Sequence, residues 1–231
     1  MAILKAKARQ STAVTREPEG EDVYLRALRD GSLSTVDFFT AMALEGRCFM
    51  ANAGTATTPI AFGAGSTGIV TTEADLLVVV PNGTTIIPIS LVIYNEAYGT
   101  NAIYECLAAY GSGGTTTQPT NATAVTPVNL RSDSPRGTSC TLWKSGDAAG
   151  ATYITTNIVE FFRDGLQSAI TKATAVANVA NADQFRFSWS AVETGVVPII
   201  VGSQQLFVFS QAQEATGFIQ FCYCELPSSV V

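Results

Sequence analysis

The chain has 231 residues, of which 47% are apolar and only 14% charged, with a formal net charge of −6. It contains no histidine, so the commonest general base, proton shuttle and metal ligand is missing from its chemistry. No uninterrupted apolar stretch approaches the ~18 residues of a membrane-spanning helix, and no membrane role is expected.

Read in chain order, residues 1–20 form an extended arm. Residues 1–16 carry Lys5, Lys7, Arg9 and Arg16 without an acid, and Glu17, Glu19, Glu21 and Asp22 follow at once. These cations could meet nucleic acid through its phosphates. They are few for packaging a genome and the carboxylates oppose them, so an arm that orders against a neighbouring subunit is the favoured reading. The opening MAILKAKARQ lacks the apolar core, about 7–15 residues long, of a secretory signal, and export by that route is not expected.

Residues 21–46 read as a helical segment. In EDVYLRALRD the positions Val23, Tyr24, Ala27 and Leu28 fall at helical spacing, with Glu21 and Asp22 in the first turn and Gly31 closing it. Ser34-Thr35-Val36-Asp37 predicts a capping box that opens a second helix through Val36, Phe39, Ala43 and Leu44, ending before Gly46.

From residue 47 to residue 231 the pattern is that of one β domain. Leu76–Val80, then Pro81-Asn82-Gly83-Thr84, then Thr85–Tyr94 is the clearest hairpin signal, an Asn-Gly step between β-branched runs. Ala102–Tyr110 is a further strand, and the Gly- and Thr-rich stretch from Gly111 to Thr126 is a surface loop. Strands are also predicted over Thr138–Trp143 and Thr152–Phe162, with a tight turn at Arg163-Asp164-Gly165 and a strand over Leu166–Thr171. Phe185–Ser190 alternates aromatic with polar, and Val196–Val201, Gln205–Gln211 and Gly217–Leu226 complete the series. Some ten short strands behind a helical N-terminal segment predict an all-β fold: an antiparallel β-sandwich, jelly-roll-like, after an extended arm and one or two short α-helices.

Each motif that could carry chemistry has a simpler explanation beside it. Gly63-Ala64-Gly65-Ser66-Thr67-Gly68 spells G-x-G-x-x-G, but the β-branched run Ile69-Val70-Thr71-Thr72 follows where a helix should begin, so it reads as a turn. Glu73 with Asp75, and Glu96 with Glu105, are carboxylate pairs that acid–base catalysis could use. Glu73 and Asp75 read as solvated acids at a strand start, and nothing short of a hairpin joins the other two. Ser139 and Cys140 would need Lys144 or Lys172 as base. Asn82 and Asn121 match the glycosylation sequon but read as turn residues. Trp143, Trp189 and Tyr98 could build a sugar platform, although core packing is the default for Trp189. Five cysteines, Cys48, Cys106, Cys140, Cys222 and Cys224, are odd in number and irregular in spacing, as core thiols are. Cys222 and Cys224 share one side of a strand, at a spacing that makes a bond between them awkward. No catalytic, cofactor or metal site is therefore assigned, and no cofactor is expected.

The last fifty residues carry a resemblance. Val197-Pro198-Ile199-Ile200-Val201-Gly202-Ser203-Gln204-Gln205-Leu206-Phe207-Val208-Phe209, a small-residue loop and Gly217-Phe218-Ile219-Gln220-Phe221-Cys222-Tyr223-Cys224-Glu225-Leu226-Pro227 resemble the closing strand pair of viral jelly-roll coat and capsid-attached proteins. Gly54-Thr55-Ala56-Thr57-Thr58-Pro59-Ile60-Ala61-Phe62-Gly63, after Leu44-Glu45-Gly46-Arg47, is similar to the opening strands of bacteriophage virion proteins. The resemblance implies a virion location and a structural protein of the capsid shell or attached to it, with itself as partner in a homotrimer or larger assembly and other virion proteins around it. Low charge points the same way, because an exterior this poor in charge is best covered by copies of itself. A trimeric receptor- or glycan-binding head is the alternative, and an enzyme is not expected.

Overall fold

A computed structural model of the chain describes residues 36–63, 69, 74–97, 103–112, 118–119, 122–145, 157–167, 186–211 and 215–230. The arm over residues 1–20 and the helix expected over EDVYLRALRD lie outside these. In chain order the elements are α1 (Phe38–Leu44), β1 (Cys48–Ala53), β2 (Ile60–Ala61), β3 (Leu76–Val80), β4 (Thr84–Ala97), β5 (Ile103–Ser112), β6 (Ala122–Val125) and β7 (Val128–Asn129). There follow β8 (Thr141–Ser145), β9 (Val159–Gln167), β10 (Arg186–Ser190), α2 (Ala191–Thr194), β11 (Ile200–Val201), β12 (Gln204–Gln211) and β13 (Thr216–Pro227).

Eight of these strands form a rolled ribbon of antiparallel pairs. The first pairs with the last, β1 with β13; the second with the seventh, β3 with β12; the third with the sixth, β4 with β10; and the fourth with the fifth, β5 with β9. Lateral pairing of β4 with β13 and of β5 with β12 joins the ribbon into two sheets. One runs β10-β4-β13-β1-β7, with β11 and β2 attached; the other runs β6-β8-β3-β12-β5-β9. This is the jelly roll expected from the strand count, and its sheets pack as a sandwich.

The core between the sheets is built from one face of each strand. Phe49, Leu91, Ile93, Ile219, Phe221 and Tyr223 come from the first sheet and Leu76, Val78, Tyr104, Leu142, Leu206 and Val208 from the second. Tyr223 stacks between Phe49 and Phe221, with ring centroids 5.7 and 5.4 Å away. The second sheet is apolar on its other face as well, where Leu77, Val79, Leu107, Trp143, Phe207 and Phe209 are buried together. Burial on both faces explains why β3 reads as an unbroken Leu-Leu-Val-Val-Val. On the outer face of the first sheet, α1 lays Phe39 and Met42 over Cys48, Ile87, Cys224 and Leu226.

Several expectations are corrected. The predicted second helix starts at Phe38, and its N-cap is Asp37, three residues beyond Ser34, with the Asp37 carboxylate accepting the Thr40 N–H at 3.0 Å. Asn82-Gly83 is a turn but makes no hairpin, because β3 and β4 belong to different sheets. Of its two central residues only Gly83 has positive φ (+80°), the sign pattern of a type II turn, which splays the flanking strands where a type I′ turn would pair them. The strands separate around Gly202, whose amide donates to the Thr84 carbonyl; a Cβ there would collide with the Pro81 carbonyl.

The Arg163-Asp164-Gly165 turn does not exist either. β9 runs straight through it, with Arg163, Asp164 and Gly165 opposite Leu107, Cys106 and Glu105. Charge at the edge of a sheet discourages a further strand from pairing there, and Glu160 and Arg163 form an exposed ion pair on that edge. Residues 138–140 and 196–199 are irregular where strand was expected, and α2 fills part of the gap between β10 and β11. Pro88 sits in β4 at a bulge opposite Tyr223, where its missing N–H breaks no regular ladder.

Candidate functional site

Two buried acids of the sandwich, Asp75 and Glu225, are committed to holding loops. Asp75 is fully buried, not solvated as its position at a strand start had implied. Its Oδ1 accepts the Gly63 N–H at 2.9 Å and its Oδ2 accepts the Ser210 N–H, so one side chain ties Gly63, two residues after β2, to β12. Glu73 lies outside the described residues. Glu225 is 2% exposed and accepts the Ser139 N–H at 2.9 Å and the Thr138 hydroxyl at 2.6 Å. The Tyr223 hydroxyl lies 2.8 Å from Thr138 Oγ1, completing a part-buried chain of two hydroxyls that ends on the carboxylate. Backbone N–H donors are what make a buried carboxylate tolerable, and both acids have them.

Glu225 is absent from the acids singled out in the sequence. Its signal was there: in FIQFCYCELP it is the one charged residue, and strand alternation sets it on the side of Phe221 and Tyr223. Cys140, beside it, is buried, and that burial with the nearby Glu225 charge pushes its thiol up to about 12. It is no ready nucleophile. Ser139 is fixed by its own amide. Lys144 lies on β8 opposite Leu76, and Lys172 falls outside the described residues.

The remaining candidates are dispersed. Glu96 is on β4 and Glu105 on β5, in different sheets. Of the glycine motif, only Gly63 is described. Asn82 is the turn residue already met, and Asn121 lies outside. Trp143 and Trp189 are 6% and 5% exposed, on the outer face of the second sheet and in the core, so neither offers an indole face to a sugar; Tyr98 lies outside the described residues. Among the described residues no group of three or more Cys, Asp or Glu side chains is placed to hold a metal ion.

What the described surface does present is apolar. On the eleven-residue run from Ala191 to Val201, Val192 and Val196 are 74% and 78% exposed, and Ile199 and Val201 are exposed with them. A second patch comprises Val36, Phe38 and Leu44 around α1 with Val128 and Leu130, the latter brought close by Arg131, whose guanidinium donates to the Leu44 carbonyl at 2.7 Å. Both patches border the buried cluster beneath α1, which takes in Phe39 from one and Val197 from the other. A shallow cleft of about 630 Å³ at the end of the first sheet is lined by Asn52, Thr55, Thr126, Phe218 and Gln220 among others, with no titratable side chain.

The architecture defines a jelly-roll β-sandwich with an apolar exterior segment. Compared with protein-family models, curated proteins and solved structures, the chain finds no match.

Proposed function

We propose that this chain is a virion structural protein, of the capsid shell or attached to it, that works by burying its own surface against copies of itself. The observation that carries the reading is the row of exposed valines and isoleucine between Ala191 and Val201, on a sandwich whose two buried acids, Asp75 and Glu225, are spent on its own backbone. Scattered exposed apolar residues are ordinary; four on one short segment mark a contact surface. A standard protein–protein contact removes ~1,600 Å² from water, and several around one subunit account for a chain with so little charge. The jelly roll is one of the folds from which viral shells are built, though it also serves other tasks, so the surface and not the fold bears the argument.

Light scattering on the purified chain is the test. Trimers or larger particles are expected, and the double variant Val192→Asp with Val196→Asp should return folded monomer. A monodisperse wild-type monomer at high concentration would overturn the proposal.

A second reading, a glycan-binding head, is favoured by the cleft. Its amides, hydroxyls and the Phe218 ring suit a neutral sugar, which needs hydrogen bonds and an apolar face but no charge. Binding on a glycan array that is lost with Gln220→Ala would favour this reading over the first.

A further inference from the structure

Three of the five thiols lie together on the outer face of the first sheet, and two of them meet. Cys48 of β1 and Cys224 of β13 are directly opposite in the register, and their sulfur atoms are 3.1 Å apart. The adjoining pair, Arg47 and Glu225, shares a ladder hydrogen bond, the Glu225 N–H donating to the Arg47 carbonyl at 2.8 Å. In an antiparallel ladder bonded and non-bonded pairs alternate, so Cys48 and Cys224 form a non-hydrogen-bonded pair. Those pairs bring Cα atoms to ~4.5 Å and side chains closest, within the span that a disulfide bridges. Cys222 is two residues back on the same strand, opposite Met50, with no such partner. Cys106 and Cys140 belong to the core between the sheets.

We propose that Cys48 and Cys224 are an oxidisable pair that closes into a cross-strand disulfide, joining the first and last strands of the roll, with a small-molecule disulfide as oxidant. The Cys48 thiolate attacks the oxidant, forming a mixed disulfide and releasing one thiol; Cys224, deprotonated, then attacks the Cys48 sulfur and releases the second. Two protein thiols and one oxidised glutathione thus become one protein disulfide and two glutathione thiols. Either sulfur can donate to the other; with Cys224 as donor, Cys48 is held below the ordinary thiol value and Cys224 is raised, which makes Cys48 the attacking sulfur.

Both sulfurs are buried beneath α1, and Cys48 Sγ lies 3.8 Å from the Phe39 carbonyl of that helix. α1 has seven residues and one side-chain cap, Asp37, so its local opening is the route by which an oxidant enters. The bond would close a loop of most of the chain, the case in which cross-linking restricts the unfolded state most. This inference is independent of the proposed virion role.

The test uses the reduced wild-type chain, kept folded as followed by circular dichroism, with oxidised glutathione at about pH 8. The expected product has lost two hydrogen masses, and its peptide map joins the segments holding Cys48 and Cys224. Cys222→Ser should give the same link. The oxidised chain should melt about 10 °C higher, and dithiothreitol should reverse the gain. A bond mapped to any other pair, glutathione left as a stable adduct on folded protein, or thiols still free after a day of exposure overturns the proposal. Asp37→Ala should speed closure severalfold without changing the product; an unchanged rate would overturn the part given to α1.

Discussion

The sandwich interior and the segment from Ala191 to Val201 invert the usual distribution of chemistry. Inside, Asp75 and Glu225 are buried carboxylates whose oxygens are occupied by backbone N–H groups and a threonine hydroxyl. Outside, Val192, Val196, Ile199 and Val201 face solvent. An enzyme holds its acids where a substrate can reach them and its aliphatic side chains where water cannot. Here Asp75 and Glu225 hold the backbone of the roll and the apolar side chains of this segment stay uncovered, the arrangement on which the proposed self-assembly rests.

Alkaline pH should break the interior most strongly. Cys106, Cys140 and Cys222 are each pushed up to about 12, chiefly by burial, whereas an unfolded chain loses these protons near ~8.5. The folded state keeps protons that the unfolded state sheds, so stability is complete below ~8.5 and falls as pH rises toward the folded values. Each thiol contributes a slope of about 1.4 kcal/mol per pH unit. Thermal melts between pH 8 and 11 read this directly, and Cys106→Ala should flatten the curve. Next in size, Asp75→Ala and Glu225→Ala each strand two donors that lose their acceptor, at about 3 kcal/mol per variant and a melting point lower by roughly 6–12 °C. An unchanged melting point for either would show that its carboxylate is not what closes the roll.

At the surface the balance should reverse. Val192→Asp with Val196→Asp should leave the melting point of the dissociated subunit within about 1 °C, since solvent-facing positions carry little folding energy, while assembly is lost. A large drop in melting would mean that the segment serves the fold and not a neighbour. The smallest effect belongs to Asp37. The Thr40 hydroxyl and N–H hold its carboxyl below the ordinary range, so its capping is complete above ~3.9 and fades as pH falls through the lowered value. α1 should fray first in acid, seen as faster amide exchange over residues 38–44.

Alternation made most of the sandwich legible. Phe187 and Trp189 are buried between exposed Arg186 and Ser188, as an aromatic-polar repeat requires, and β13 matches its predicted span to within a residue at each end. Local signals failed where two structures share one local code. Asn-Gly suits both a hairpin and a turn between sheets, and Arg-Asp-Gly suits both a tight turn and a charged edge strand. Helix α1 was foreseen but not its first residue, because Ser34 and Asp37 are both able caps.

By itself, then, the sequence determined the all-β class, the faces that strands such as Arg186–Ser190 turn to the core and the absence of imidazole chemistry, since these depend on side-chain periodicity and composition. Only the tertiary structure decided that Asp75 and Glu225 are buried, that Cys48 meets Cys224, and that the valines after Ala191 are left uncovered. Each of those depends on partners far apart in the chain, and no local pattern encodes which distant strand will lie alongside.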